Sequence, residues 1–301
     1  VSESTVLSPR HALLALAVVA VWGTNFVVIR LALDQFPPFL LAGLRFALAA
    51  VPGVFFLKRP QVKWSNLAAY GLLIGAGQFG LLFFAMDGRI SPGLASLMIQ
   101  TQVFFTIFLS MARVGERLRG FQVVACLLAV VGIGVIMLHL HGGTTTLFGL
   151  MLVLLAASSW AVGNIVARES GARNALAYVV WSSLFAAPPL LLVALLRQGP
   201  AVLLHAITHA TPAGWVAVIW QSVGNSWFGY GSWAFLLARY PSATVSPMAL
   251  LVPVFGMAAS VVWLGEPMPG WKLAAAGLVI AGLAISVFYP RWRAARQVRP
   301  A

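Results

Sequence analysis

Ten stretches of about 20 predominantly apolar residues follow one another along this 301-residue chain, and no other feature limits its possible folds so severely. They run near 12–31, 37–57, 66–86, 91–111, 119–139, 147–167, 175–196, 213–237, 242–264 and 269–289. Within a bilayer core, backbone polar groups must be satisfied internally, which leaves helices or a closed barrel. A barrel would show ten-residue segments of alternating polarity, whereas these runs are apolar all round. The first run is too long for a signal-peptide core and carries Trp22-Gly23-Thr24-Asn25 at its middle, so it reads as a retained span. The expectation is an all-α integral membrane protein with ten transmembrane helices. Composition closes the alternatives: with 61% hydrophobic residues and six acids, neither a water-soluble surface nor a disordered chain is feasible. The one cysteine, Cys126, excludes an intramolecular disulfide framework and Cys-rich metal or iron–sulfur sites.

Charge placement predicts the orientation. With the N-terminus in the cytoplasm, the inner segments hold Arg10; Lys58, Arg59 and Lys63; Arg113, Arg117 and Arg119; Arg168 and Arg173; Arg239; and Arg291, Arg293, Arg296 and Arg299, fourteen in all. The outer segments hold four, Arg30, Arg89, Arg197 and Lys272. This excess on one side places both termini in the cytoplasm by the positive-inside rule. The basic tail, 291–301, reads as an anchor to anionic lipid, with no nucleic-acid partner expected.

The second half of the chain repeats the first. At an offset of 150, Arg89 meets Arg239, Ser96 meets Ser246, Met98 meets Met248, Phe105 meets Phe255, Gly115-Glu116 meets Gly265-Glu266, and Gly132 meets Gly282. At an offset of 138, Trp22 with Arg30 matches Trp160 with Arg168. Each half holds five spans, an odd number, so the halves, 11–141 and 147–290, must have opposite orientations. Inverted repeats are the plan of many secondary transporters, with substrate held near the midplane where the halves meet.

Five plus five spans, Trp22-Gly23-Thr24-Asn25-Phe26, Arg45-Phe46 and Gly115-Glu116 paired with Leu264-Gly265-Glu266-Pro267 resemble the EamA-type proteins of the drug/metabolite transporter superfamily. The likeness covers about 12–290, and within the superfamily the chain looks most similar to YddG-type exporters of aromatic and related amino acids. The resemblance implies export of small metabolites across a bacterial inner membrane.

Enzymatic chemistry finds no footing. Glu3, Asp34, Asp87, Glu116, Glu169 and Glu266 all fall in loops or at helix ends, no lysine lies mid-span, and no phosphate-binding loop exists. His205 and His209 have i,i+4 spacing but no acidic third ligand nearby, so no metal or other cofactor is expected. What remains are polar residues inside spans, which are costly there and therefore candidates for function. Trp22 and Asn25 share a face of span 1; Trp160 and Asn164 do so in span 6. Gln78 lies in span 3, Gln100 and Gln102 in span 4, and Trp220, Asn225 and Tyr230 in span 8. Interhelical hydrogen bonding would account for any one of these amides; the set as a whole reads as a cavity lining.

Arg45 is a buried cation without an acid in its own span, packed against helix C-termini or outer-side carboxylates, or in direct contact with substrate. Glu116 and Glu266 read as carboxylates that open the next helix at the positive end of its dipole. Pro52 in span 2 is answered by Pro188-Pro189 in span 7, while Pro247 and Pro253 interrupt span 9 without a counterpart in span 4, giving hinges or static kinks. A neutral aromatic and amide-lined cavity suits a neutral or zwitterionic amphipathic metabolite, an amino acid above all, moved by alternating access without obligatory proton coupling. A monomer in the bilayer is the expected unit. Export of other metabolites or drugs, and a channel-like facilitator, stay open alternatives.

Overall fold

The computed structural model describes residues 7–114, 119–140 and 145–297; these form helices and no strand. In chain order the helices are α1 (Pro9–Ala32), α2 (Pro38–Phe56), α3 (Trp64–Met86), α4 (Pro92–Met98 continuing as Gln102–Val114), α5 (Gly120–Leu138), α6 (Leu147–Ser170) and α7 (Ala175–His209). Then come α8 (Pro212–Ile219, Trp220–Phe228 and Gly229–Leu237 in succession), α9 (Ser242–Val245, Ser246–Leu251 and Val252–Leu264) and α10 (Gly270–Gln297). Among the described residues nine helices are long and apolar enough to cross a membrane; α8 is the one outside that set, long enough but carrying Gln221, Ser222, Asn225 and Ser226.

Local chemistry explains where the helices begin. Pro occupies the first helical position of α1, α2, α4 and α8, where its missing N–H costs nothing. Thr146, Asn174 and Thr211 accept the backbone N–H of Gly149, Ala177 and Gly214 at 3.0, 3.0 and 3.3 Å, capping α6, α7 and α8. Gly171 (φ 64°) and Gly265 (φ 62°) close α6 and α9 in the left-handed conformation that glycine adopts without strain. Phe56 and Leu138, 80% and 78% exposed, belong to a broad outward apolar surface suited to lipid rather than water.

Close approach of small residues brings the two halves together, and the approaches are reciprocal. A Cβ on Gly132 of α5 would lie 3.1 Å from the Ala275 carbonyl of α10, and one on Gly282 of α10 would lie 2.6 Å from the Ala125 carbonyl of α5. Position 132 faces 275 while 125 faces 282, so α5 and α10 run antiparallel. In α2 and α7, Gly43 lies against Leu191 and Gly53 against Val180, again antiparallel. Corresponding helices of the two halves therefore point in opposite directions, as an inverted repeat requires. Such packing needs small residues because lipid supplies no hydrophobic drive between helices.

Symmetry extends to the irregular segments. Leu72–Gly80 in α3 and Trp220–Phe228 in α8 are both nine-residue π-helical stretches. Ile99–Thr101 in α4 and Ser246–Leu251 in α9 are both 3-10 segments. Pro247 and Pro253 have no proline counterpart in α4, yet the 3-10 segment they mark in α9 does have one there, made without proline. Pro52 and Pro188 lie within helices on exposed surfaces, and α7 departs from helical geometry not there but at Gly199 (φ 77°, ψ 163°), before Pro200. The backbone of α10 stays helical to Gln297, so the basic tail begins as its continuation.

Candidate functional site

A cavity of about 500 Å³ lies between the halves, within the range of small-ligand sites. Trp22 and Asn25 of α1 line it, with Gln78 of α3, Gln100 and Gln102 of α4, Trp160 and Asn164 of α6, and Asn225 and Tyr230 of α8. Nine of the ten residues singled out from sequence thus share one wall-to-wall space. Among the described residues no Asp, Glu, His, Lys or Arg lines it.

The exception is Trp220. It is 38% exposed, beside Val223 at 47%, whereas Gln221, Ser222, Asn225 and Ser226 are buried. The inward face of α8 is therefore set by 221, 222, 225 and 226, and Trp220 falls on the outer side, correcting its assignment to the cavity. Its place is taken by aromatics the sequence reading passed over: Trp233, Tyr70 and Phe79. Trp233 was legible, being three residues after Tyr230 and so on the same helical face. Tyr70 was not, because the π-helical turns that separate it from Gln78 break the 3.6-residue period.

The π segments are held in a matching way. A wide π turn leaves carbonyls open to outside donors, and each segment receives one from the first helix of the other half. Trp22 Nε1 of α1 donates to the Asn225 carbonyl at 3.2 Å, and Ser159 Oγ of α6 donates to the Leu73 carbonyl at 2.8 Å. The Trp22 ring also meets Tyr230 and Trp233, with centroids 5.6 and 5.2 Å apart, in tilted geometry. Across the cavity, Asn164 Nδ2 donates to Gln102 Oε1 at 2.9 Å, joining α6 to α4. Gln100 Nε2 donates to the Ala249 carbonyl at 3.3 Å, joining the 3-10 segments of α4 and α9. The amide oxygens of Asn25 and Gln78 are buried without a partner.

Arg45 is fully buried and meets no carboxylate among the described residues, so of the partners expected for it the outer-side carboxylates are not the ones that hold it. Its guanidinium lies over the Phe79 ring, 3.7 Å from the centroid, and Nη2 donates to Ser226 Oγ at 3.5 Å. Nε and Nη1 have no partner.

Glu266 also departs from expectation. Rather than capping the helix that follows it, its carboxylate accepts the Gly93 N–H at 3.0 Å, at the start of α4 in the other half, and pairs with Lys272 Nζ at 2.9 Å. Gly93 allows this, since a Cβ there would lie 3.0 Å from the carboxylate. Glu116, its counterpart by sequence, lies outside the described residues. The His205 and His209 rings stack at 4.0 Å, and no group of three or more His, Cys, Asp or Glu able to hold a metal occurs among the described residues.

Comparison with known proteins agrees with this architecture. The chain is 40% identical over 297 residues, 97% of this chain and 99% of the relative, to an Escherichia coli K12 protein named "Probable amino-acid metabolite efflux pump". A Salmonella typhimurium protein of the same name is 41% identical over the same shares of the two chains. A Streptantibioticus cattleyicolor protein named "Probable terminal-alkyne amino-acid exporter" is 28% identical, over 88% of this chain and 89% of the relative. A crystal structure 20% identical in sequence superposes with a TM-score of 0.64 over 95% of this chain and 99% of its own, which shows the shared fold. The pattern of the EamA-like transporter family matches twice, over residues 10–138 and 147–288. This multi-pass membrane protein, a transporter and not an enzyme, belongs to the EamA-like transporter family.

Proposed function

We propose that this chain exports amino acids and similar small amphipathic metabolites across the bacterial inner membrane by alternating access. The observation that carries the reading is the cavity between the halves, lined by Trp22, Trp160 and Trp233 together with Asn25, Gln78, Gln100, Gln102, Asn164 and Asn225, and, among the described residues, by no Asp, Glu, His, Lys or Arg. Aromatic faces cover an apolar side chain, and amides hydrogen-bond polar groups without the desolvation cost of a fixed charge. The names of the relatives, an amino-acid metabolite efflux pump and an amino-acid exporter, support the same substrate class.

In this reading α8 is the tenth crossing, its polar face turned to the cavity, and both termini are cytoplasmic. The π-helical and 3-10 segments, paired by symmetry, are where α3, α8, α4 and α9 bend as access alternates. Lacking a carboxylate on the cavity wall, the carrier moves substrate down its own gradient. Purified protein in proteoliposomes, screened with labelled amino acids, tests this. Saturable uptake accelerated by substrate preloaded inside is expected of a carrier. Uptake that neither saturates nor responds to preloading would replace the carrier with a channel, and no amino-acid uptake at all would refute the substrate class.

A further inference from the structure

We infer that Arg45 and the amides of Asn25 and Gln78 are the two poles of a zwitterion site, Arg45 taking the substrate's carboxylate and the amide oxygens its ammonium. The assignment deepens the amino-acid exporter reading above and rests on it.

Buried polar groups without partners are rare in folded proteins, and a buried charge without a counter-charge is costlier still. Three such side chains stand on the walls of two adjoining spaces, Arg45 on the smaller and Asn25 and Gln78 on the larger. A guanidinium offers five N–H donors, yet Arg45 uses one recorded hydrogen bond of 3.5 Å and leaves Nε and Nη1 unpartnered at zero exposure. A space of about 10 Å³ lies against it, room for one oxygen-sized atom. Tyr70, Phe79 and Tyr230 line both this small space and the large cavity, so these three rings form the partition between them. A carboxylate lodged at that partition can place one oxygen against the guanidinium while the rest of the molecule stays in the cavity. Water could satisfy the donors, but only an anion also neutralises the charge.

The acceptors belong to residues of the cavity wall, though both oxygens are turned away from its open space. Asn25 Oδ1 and Gln78 Oε1 are buried, unpartnered, and belong to lining residues. Gln78 directly precedes Phe79, whose ring lies under the Arg45 guanidinium of α2, so the acceptor is one residue along α3 from the ring that covers the donor. An ammonium has three donors and no acceptor, the complement of two free amide oxygens. A site with an unpaired cation at one pole and unpaired neutral acceptors at the other selects molecules bearing both a carboxylate and an amine. Amines and carboxamides lacking the carboxylate leave Arg45 unpaired.

The test uses the purified protein in proteoliposomes, with labelled phenylalanine and leucine as substrates. Phenylalaninamide, phenethylamine and 3-phenylpropionate serve as competitors. A charge-assisted hydrogen bond contributes about 1.5–3 kcal/mol, so phenylalaninamide and phenethylamine should compete roughly 10- to 100-fold more weakly than phenylalanine. 3-Phenylpropionate should also compete more weakly than phenylalanine. Arg45→Gln should abolish the preference for phenylalanine over its amide, and Arg45→Lys, which keeps charge without the planar fork, should restore part of it. Equal competition by phenylalanine and phenylalaninamide, or an undiminished preference in Arg45→Gln, would overturn the assignment while leaving the exporter reading intact. Absence of uptake of either amino acid would instead overturn the exporter reading. The wild-type competitor series decides the matter even if Arg45→Gln fails to fold.

Discussion

Removing Lys272 should destabilise the protein far more than a substitution at a helix end ordinarily would. Its ammonium sits 2.9 Å from Glu266, and the two side chains are only 9% and 7% exposed. The Glu266 carboxylate then has one further partner, the Gly93 N–H at 3.0 Å, and Lys272 also donates to the Pro267 carbonyl at 3.0 Å. Lys272→Met keeps the length of the side chain but strands a buried carboxylate, a loss of about 3–5 kcal/mol by comparison with other buried pairs. Glu266→Gln keeps an acceptor for Gly93, and the lysine stem can swing its ammonium to water, so about 1–3 kcal/mol is expected. The double variant strands no charge and should recover much of the larger loss. At about 2 °C per kcal/mol for a chain of this size, Lys272→Met should melt roughly 6–10 °C below the parent in mild detergent, with the double variant well above it. The measurement is thermal unfolding of the purified protein, read as a double-mutant cycle. A Lys272→Met melting point within about 2 °C of the parent, or a double variant equal to the sum of the singles, would refute the idea that this pair clasps α4 to the opposite half.

Other expectations follow from the same geometry. Trp160→Ala should weaken phenylalanine transport several-fold with normal expression, since an aromatic contact contributes roughly 0.5–1.5 kcal/mol beyond burial; unchanged transport in both Trp160→Ala and Trp22→Ala would place the rings outside the substrate path. Gly282→Leu should cost about 1–3 kcal/mol through overpacking, because a Cβ there already meets the Ala125 carbonyl at 2.6 Å, whereas Gly134→Leu, with open space around it, serves as the near-neutral control in the same melting assay. In a Cys126→Ala background, Arg173→Cys should label from the cytoplasmic side and Pro269→Cys from the outside; labelling of both from one side would defeat the proposed orientation. An imposed pH gradient alone should not drive net accumulation of substrate in proteoliposomes, and accumulation there would reveal a proton-coupled group.

The apolar runs and the twofold repeat were legible in the chain because each is written in local pattern. A run of about 20 apolar residues has one low-energy form in a bilayer, and matched residues at a constant offset survive any change in packing. The polar residues within spans could be singled out by their cost alone, and that sufficed to find nine cavity-lining positions.

What the tertiary structure decided is rotation and partnership. Trp220 and Trp233 are equally aromatic and lie on the same helix, yet packing turns one outward and the other into the cavity. Tyr70 came into the site through a π-helical stretch that no residue period announces. Glu266 found its partners at Gly93, 173 positions away, and at Lys272, rather than in the helix it precedes. For Arg45 the sequence left helix C-termini, outer-side carboxylates and substrate as possible partners, and only the assembled helices surround it with Phe79, Ser226 and Tyr230 and leave two of its donors without a protein partner beside a narrow space. Hydropathy depends on composition along one helix, whereas a side chain's partners depend on which face meets which neighbour. That choice is made by van der Waals fit among many helices at once, so only the folded protein contains it.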